Sequence, residues 1–320
     1  MTEANSQRVL VELIKEIAAD QGYGLTRFSH DWILRLEKNG ATRHIFGYNF
    51  EINSATAELL AADKAAIADL LAHQGIANVP HRLFLHPRLS GYVPAKGNWP
   101  AMLASAEEFG YPLVCKPNGG TGGLGVTLVN NVAELELAVY TLFQKHRSIS
   151  FSPYLEIDQE FRAIMLDGEL QLLYTKRRPH VVGDGQASLM QLIQAAQAGG
   201  QLSAEAAGQA IEGKQNDLQT VPAAGEEVVL GWKHNLGAGS TPQQLSDGPL
   251  ASQLSRLARQ AQQAINIRFA SVDVVEVQGE HRVLEINSGV MMEHFVRSQP
   301  EHRATAKAIY ARAIERMFDA

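Results

Sequence analysis

The run VCKPNGGTGGLGV, residues 114 to 126, constrains this chain more than any other stretch. Apolar residues flank it, and Gly119, Gly120, Gly122, Gly123 and Gly125 crowd its middle around Thr121. So many glycines exclude a continuous helix, because each gives up the most backbone freedom there, and the segment reads as strand, loop, strand. Lacking Cβ atoms, the loop can bring backbone N–H groups close to an anion, and Lys116 at the end of the first strand adds a point charge. A flexible turn between two strands is the alternative. No Gly-Lys-Ser/Thr closes the run, and a strand follows where a dinucleotide fingerprint needs a helix, so neither common phosphate-binding motif applies.

Two further stretches carry charge into apolar surroundings. FASVDVVEV and RVLEIN flank a turn at Gln278 to His281. Alternation puts Glu285 and Asn287 on one face, flanked by Leu284 and Ile286, and an antiparallel neighbour can bring Asp273 towards them. Two carboxylates and an amide oxygen are hard donors suited to Mg²⁺ shared with phosphates. Surface carboxylates are the alternative, yet acids inside such apolar runs need a reason. The stretch EFRAIMLDGELQLLYTKRRPHVVGDG, residues 160 to 185, reads as a hairpin around Asp167-Gly168 that ends in Lys176, Arg177 and Arg178. That cluster is either a neutraliser of phosphoryl or carboxylate charge or a solvated basic edge.

The rest of the 320 residues reads as mixed helix and strand. Helical spacing covers residues 7 to 21, a hairpin turns at Asn39-Gly40, and a helix runs from Ala55 to Gln74 with Asn53 or Ser54 as cap and Gly75 as stop. Further helices are expected up to Phe109, from Val132 to Gln144 behind Asn131, and from Glu301 to Phe318. Residues 199 to 225, rich in Gly, Ala and Gln, read as an insertion or mobile cover, and no repeat of solenoid period occurs.

Composition removes several function classes. Lys plus Arg is 28 against 34 for Asp plus Glu, a balance of 28 − 34 = −6 with no dense basic run, so nucleic acid is not an expected partner. No stretch reaches the length of a membrane span, and the first residues lack a signal core, so a cytoplasmic protein is expected. A single cysteine, Cys115, excludes an internal disulfide and a thiolate metal cluster.

Taken in order, ADKAAIADLLAHQGIANVP, the glycine run, the 160 to 185 stretch, TVPAAGEEVVLGWKHNL and SVDVVEVQGEHRVLEINSG resemble the ATP-grasp carboxylate-amine ligases. The likeness is closest to the ATP-grasp portion of cyanophycin synthetases, with ribosomal-protein glutamate ligases, bifunctional glutathione synthetases and D-alanine ligases more distant. It implies an α+β/α/β architecture in which nucleotide lies between two α+β subdomains, preceded by a small α/β N-terminal region. The implied divisions are 1–60, 61–110, 111–155 and 156–320, with an insertion near 186–226.

By position, the resemblance gives Lys64 and Lys116 to the nucleotide phosphates, under a loop from Gly119 to Gly125. It gives Tyr154, Leu155 and Glu156 to the adenine, Glu160 to the ribose, and Asp273, Glu285 and Asn287 to Mg²⁺, with Mn²⁺ as an alternative. Lys176 falls where the family has a basic residue near the phosphates. Arg162 and Arg178 are candidates for holding a carboxylate or an oxyanion. The implied reaction uses ATP to phosphorylate a carboxylate, and an amine then displaces phosphate to give an amide. The implied partners are small-molecule carboxylate and amine substrates, amino acids among them, and a homodimer.

Departures from the family pattern modify this. Ser271 stands where D-alanine ligases carry an arginine, moving that task to Lys233 or Arg178, and Pro153 stands where the hinge commonly begins with glutamate. The stretch from Asn235 to Ser240 differs from the family's Asn-Leu-Ser-Thr-Gly-Gly run. No second ligase domain follows within these residues, so one condensation of small substrates is expected instead of a polymer. The substrate side falls to Lys233, Asn235, Ser288, Glu293 as an ammonium receiver and His294 as a base or structural residue. A kinase acting on a hydroxyl, or a non-catalytic ATP-binding module, is the alternative.

Overall fold

The computed structural model describes residues 8–92, 98–120, 123–231, 234 and 236–319. Helix α1 (Val9–Gln21) leads into an antiparallel sheet of β1 (Gly24–Phe28), β2 (Ile33–Lys38), β3 (Ala41–Phe46) and β4 (Asn49–Phe50), in that order. The β2–β3 turn is at Asn39-Gly40, with φ of 51° and 79° as a tight hairpin requires.

Helices α2 (Ala55–Ala62) and α3 (Lys64–His73) follow. The expected single helix from Ala55 to Gln74 is therefore corrected. It breaks at Asp63, whose backbone is extended (φ −108°, ψ 102°) and whose carboxylate accepts from Ala66 N at 2.9 Å. A short acid competes well for a cap and poorly for a helix interior.

A second antiparallel sheet is built from β5 (Arg82–Leu85), β6 (Leu113–Pro117), β7 (Thr127–Val129) and β8 (Ser148–Pro153), in the order β5-β8-β6-β7. Helices α4 (Asn98–Phe109) and α5 (Val132–Phe143) bury Met102, Ala106, Leu135, Ala138 and Leu142 against one face, formed by Leu113, Cys115, Ile149 and Phe151. Alternation sends the intervening side chains, Lys116, Ser150 and Ser152, to the opposite face.

The chain continues through β9 (Gln159–Leu166), β10 (Glu169–Arg177), β11 (His180–Val182), α6 (Leu189–Ala198), α7 (Ala204–Gly213), β12 (Glu227–Val229), β13 (Thr241–Gln244), α8 (Pro249–Ala264), β14 (Phe269–Val277), β15 (Glu280–Asn287), α9 (Glu293–Ser298) and α10 (His302–Phe318). The largest sheet runs β13-β10-β9-β14-β15, all pairs antiparallel. One of its faces, with Phe161, Ala163, Val272, Val274, Val283 and Ile286, packs on α2, α3 and α8.

The other face changes character along its strands. At one end Ile164, Leu166, Leu172 and Phe269 join the core made with α1, α9, α10 and the first sheet, while at the other end the side chains are charged.

Residues 199 to 225, expected as an insertion or mobile cover, contribute to a core of their own. Helix α7 and α6 enclose a small core of Leu189, Ile193, Ala196, Leu202, Ala207, Ala210 and Leu230, closed by the β11–β12 ribbon. The inward stripe of α7 is Ala206, Ala207 and Ala210, too small to stand out as a hydrophobic period in the sequence.

Candidate active site

Residues opposite each other in a sheet present their side chains on the same face. The registers Asp273↔Arg162, Asp273↔Glu285, Ser271↔Asn287 and Tyr174↔Arg162 therefore gather one polar surface across four strands. Arg162 donates through Nε and Nη2 to the two oxygens of Asp273, at 2.7 and 2.6 Å. Lys176 reaches across with Nζ 2.8 Å from Asp273 Oδ2 and 2.5 Å from Glu160 Oε1.

All four side chains are largely buried. Burial works against ionisation of Asp273, yet Arg162 and Lys176 hold it well below the usual carboxylate range. Burial pushes Glu160 up to about 6, against the pull of Lys176. Burial and Arg162 oppose the charge on Lys176, but Asp273 and Glu160 keep its pKa above the ordinary value.

The second wall comes from α3 and β6. Asn118, buried just after β6, accepts from Ala65 N through Oδ1 at 3.2 Å and from Lys64 N through its carbonyl at 3.3 Å. It ties the start of α3 to the mouth of the glycine loop, so Lys64 Nζ reaches the carbonyl of Gly120 and lies 3.7 Å from Glu285 Oε2. Lys116 points into the same space. Burial, opposed by Glu285 and Glu160 and reinforced by Lys64, pushes its pKa down to about 8.

For a divalent cation the donors are unequal. Glu285 and Asn287 are half-exposed and adjacent, with Asn287 Nδ2 donating to Glu285 Oε1 at 3.1 Å, so turning the amide would present two oxygens to one ion. Asp273 already spends both oxygens on Arg162 and Lys176. Among the described residues no three His, Cys, Asp or Glu side chains form a ready-made cage.

Other expected site residues are placed as follows. Tyr154 and Leu155 are half-buried and Glu156 exposed, directly after β8, and Tyr154 N donates to Pro112 O at 3.3 Å. Gly119 and Gly120 start the loop, and Gly123 and Gly125 have φ of 72° and 71°. Thr121, Gly122, Lys233 and Asn235 lie outside the described residues. Arg178 is half-buried and carries no ion pair with another described residue. Arg162, expected to hold a substrate anion, instead spends two of its nitrogens on Asp273. Ser288 is half-buried beside Asn287, and His294 lies near Arg162, its pKa lowered by burial and then by Arg297.

Glu293 corrects its expected part as an ammonium receiver. It is buried, its Oε2 accepts from Val9 N at 2.8 Å, and its Oε1 accepts from Leu10 N at 3.2 Å and from Tyr48 OH at 2.9 Å. It caps α1 across the whole length of the chain, because a carboxylate at a helix start satisfies free N–H groups and the helix dipole together. Cys115 is buried and its thiol is pushed up to about 12 by burial, so it is no nucleophile. Sequence reading missed Asn118 and Tyr174; the first stood inside the glycine run, and the second needs the β9–β10 register to be seen.

A family model described as the ATP-binding domain of the carbamoyl-phosphate synthase L chain matches residues 90–158. The cyanophycin synthetase of Trichormus variabilis is 30% identical over 138 residues, 42% of this chain and 14% of that protein, so the chain spans about a seventh of this relative. Among solved structures, the bifunctional glutathione synthetase from Pasteurella multocida superposes with a TM-score of 0.56 at 17% identity, over 93% of this chain and 43% of that one. The D-alanine–D-alanine ligase from Bacillus anthracis gives 0.54 at 16% identity, over 83% and 69%. The same ligase complexed with ATP gives 0.52.

Proposed function

We propose that this chain, which has the ATP-grasp fold, is an ADP-forming carbon-nitrogen ligase that joins a small carboxylate to an amine, with an amino acid among its substrates. One observation carries the reading: two charged walls face each other, Lys64, Lys116 and the glycine loop on one side, and Glu160, Arg162, Lys176, Asp273, Glu285 and Asn287 on the other. Lys64 and Lys116 put positive charge on the wall beside the glycine loop, where the phosphates of a nucleotide triphosphate find their partners.

In this reading Lys64 and Lys116 bind the phosphates, and Tyr154, Leu155 and Glu156 hold the base along the backbone after β8. Glu285 and Asn287 would hold a magnesium ion, which would supply positive charge beside the phosphates. Asp273 is held by Arg162 and Lys176, so its first part is to fix both towards the reacting groups. Lys176 and Arg178 supply positive charge to the acyl phosphate and to the tetrahedral intermediate formed when the amine attacks. Closure of the glycine loop, Gly119 to Gly125, keeps water from the acyl phosphate. Ser288 and His294, next to the metal-side pair, border the acceptor.

The test is ADP release from MgATP with amino acids offered singly and in pairs, followed by mass spectrometry. A product lighter than its two precursors by one water supports the ligase. A product heavier by one phosphate group on a hydroxyl compound would replace it with a kinase. Nucleotide binding without any turnover would leave a binding module. Glu285→Gln is expected to abolish Mg²⁺-dependent turnover, and undiminished turnover would remove Glu285 from the metal.

A further inference from the structure

His81 lies where the chain passes from α3 to β5, and it is 4% exposed. Its Nδ1 is 2.8 Å from the carbonyl oxygen of Val79, which can only accept, so Nδ1 carries the proton and Nε2 keeps a lone pair. The position is firm, since Val79 N donates to Val283 O at 2.9 Å, two residues before Glu285 on β15. Yet Nε2 is buried without a hydrogen-bond partner. A buried acceptor left unsatisfied forfeits the hydrogen bonds it made to water, so this atom calls for a donor.

Leu83 on β5, Ser150 on β8 and Lys116 on β6 stand in one row across the second sheet, and His81 lies two residues before Leu83; the charges that act on its ring are the ammonium groups of Lys116 and then Lys64. The ammonium of Lys116 makes no hydrogen bond to another described residue, and the hydroxyl of Ser150, its register partner on β8, is likewise buried and unpartnered. A three-proton donor thus stands near two acceptors that have nothing to accept. We propose that His81 is a positioning residue for Lys116: its Nε2 accepts one N–H of the ammonium when nucleotide binds, so that the remaining N–H groups are aimed at the phosphates.

A neutral imidazole suits this place better than either alternative. A carboxylate would cancel the positive charge that phosphate needs, and a protonated histidine would add a third cation beside Lys64 and Lys116. Burial, with both lysines, holds His81 well below its ordinary pKa and so in the neutral form.

The inference rests on nucleotide occupying the cleft, and the test separates the two. Calorimetric titration of the full chain with MgATP and with adenosine is run on wild type, His81→Leu and His81→Gln. His81→Leu is expected to weaken MgATP about tenfold, the equivalent of about 1.4 kcal/mol, and to leave adenosine unchanged. In His81→Gln a side-chain oxygen replaces Nε2 and most of the affinity returns. Equal MgATP affinity in all three proteins, or an equal loss for MgATP and adenosine, would overturn the inference. Wild type that binds no MgATP would overturn the nucleotide reading itself.

If His81→Leu fails to fold, nitrogen-15 resonances of the wild-type imidazole decide. Nε2 should be the unprotonated nitrogen and should move in the direction of hydrogen-bond acceptance on adding MgATP. A proton on Nε2, or no movement at saturation, would reject the contact.

Discussion

Arg162 on β9 and Asp273 on β14 face each other in register, and the guanidinium closes on the carboxylate with two parallel hydrogen bonds of 2.7 and 2.6 Å. Asp273 is 1% exposed, so this fork, with Lys176 on the same carboxylate, is what makes its buried charge tolerable. It also fixes Lys176 between Asp273 and Glu160, and thereby the direction of positive charge in the cleft.

Removing the fork should therefore be severe. Arg162→Leu is expected to lower stability by about 3 kcal/mol, because Asp273 keeps only Lys176. Arg162→Lys should recover only part, since an ammonium cannot supply the two parallel bonds. Urea unfolding at pH 7 measures both, and a loss under about 0.5 kcal/mol for Arg162→Leu would show that Asp273 is not held this way.

Lys116 predicts a pH dependence with a definite sign. Its folded pKa of about 8 lies below the ordinary lysine value of 10.5, so the unfolded chain binds more protons between these values, and this group's contribution makes stability rise with pH across that window. Phosphate binding runs the other way, because the charged ammonium is lost above pH 8. MgATP affinity is expected to fall from about pH 8 upwards in wild type and to hold further in Lys116→Arg, whose guanidinium stays protonated. A flat profile in wild type would separate Lys116 from the phosphates.

Glu293 is predicted to act on α1. Glu293→Ala leaves Val9 N, Leu10 N and Tyr48 OH without their acceptor and is expected to cost about 2 kcal/mol. Tyr48→Phe should cost less, about 1 kcal/mol, because one hydrogen bond goes and the carboxylate keeps two. Thermal melting ranks the two, and limited proteolysis should locate the first cut of Glu293→Ala near α1.

Gly183 tests the small core around α6 and α7. A Cβ there would lie 2.3 Å from Ala223 O and 2.7 Å from Pro222 O, backbone atoms that cannot move without opening the β11–β12 ribbon. Gly183→Ala is expected to destabilise by about 2 kcal/mol. Hydrogen exchange should speed up across α6 and α7 more than in the large sheet.

Much of the local structure is legible in the sequence because it depends on neighbours a few residues apart. Asn39-Gly40 and Asp167-Gly168 adopt the left-handed backbone that their side chains tolerate, and Asn131 caps its helix by accepting from Glu134 N at 3.0 Å. Alternation along β14 and β15 places Glu285 and Asn287 on one face, and Lys116 ends a strand before glycines. The break at Asp63 is a weaker local signal, since a short acid caps a helix better than it fills one but does not forbid the longer helix.

What only the tertiary structure decided is which of these residues meet. The link from Glu293 to Val9 spans 284 residues, and that from Lys176 to Asp273 spans 97. Residue type says that a buried carboxylate must find a partner, but not which one, because that depends on strand register and on how sheets pack. Glu293 could thus be read as a substrate contact until α1 was found on it, and Arg162 as a free cation until Asp273 was found across from it. The sequence by itself determined the turns at Asn39-Gly40 and Asp167-Gly168, the paired runs of β14 and β15, and the kinds of charge. The packing of distant strands decided which charges are spent on one another, as at Arg162, Lys176 and Asp273, and which groups, Lys64 beside Glu285 and Lys116 among them, line the cleft.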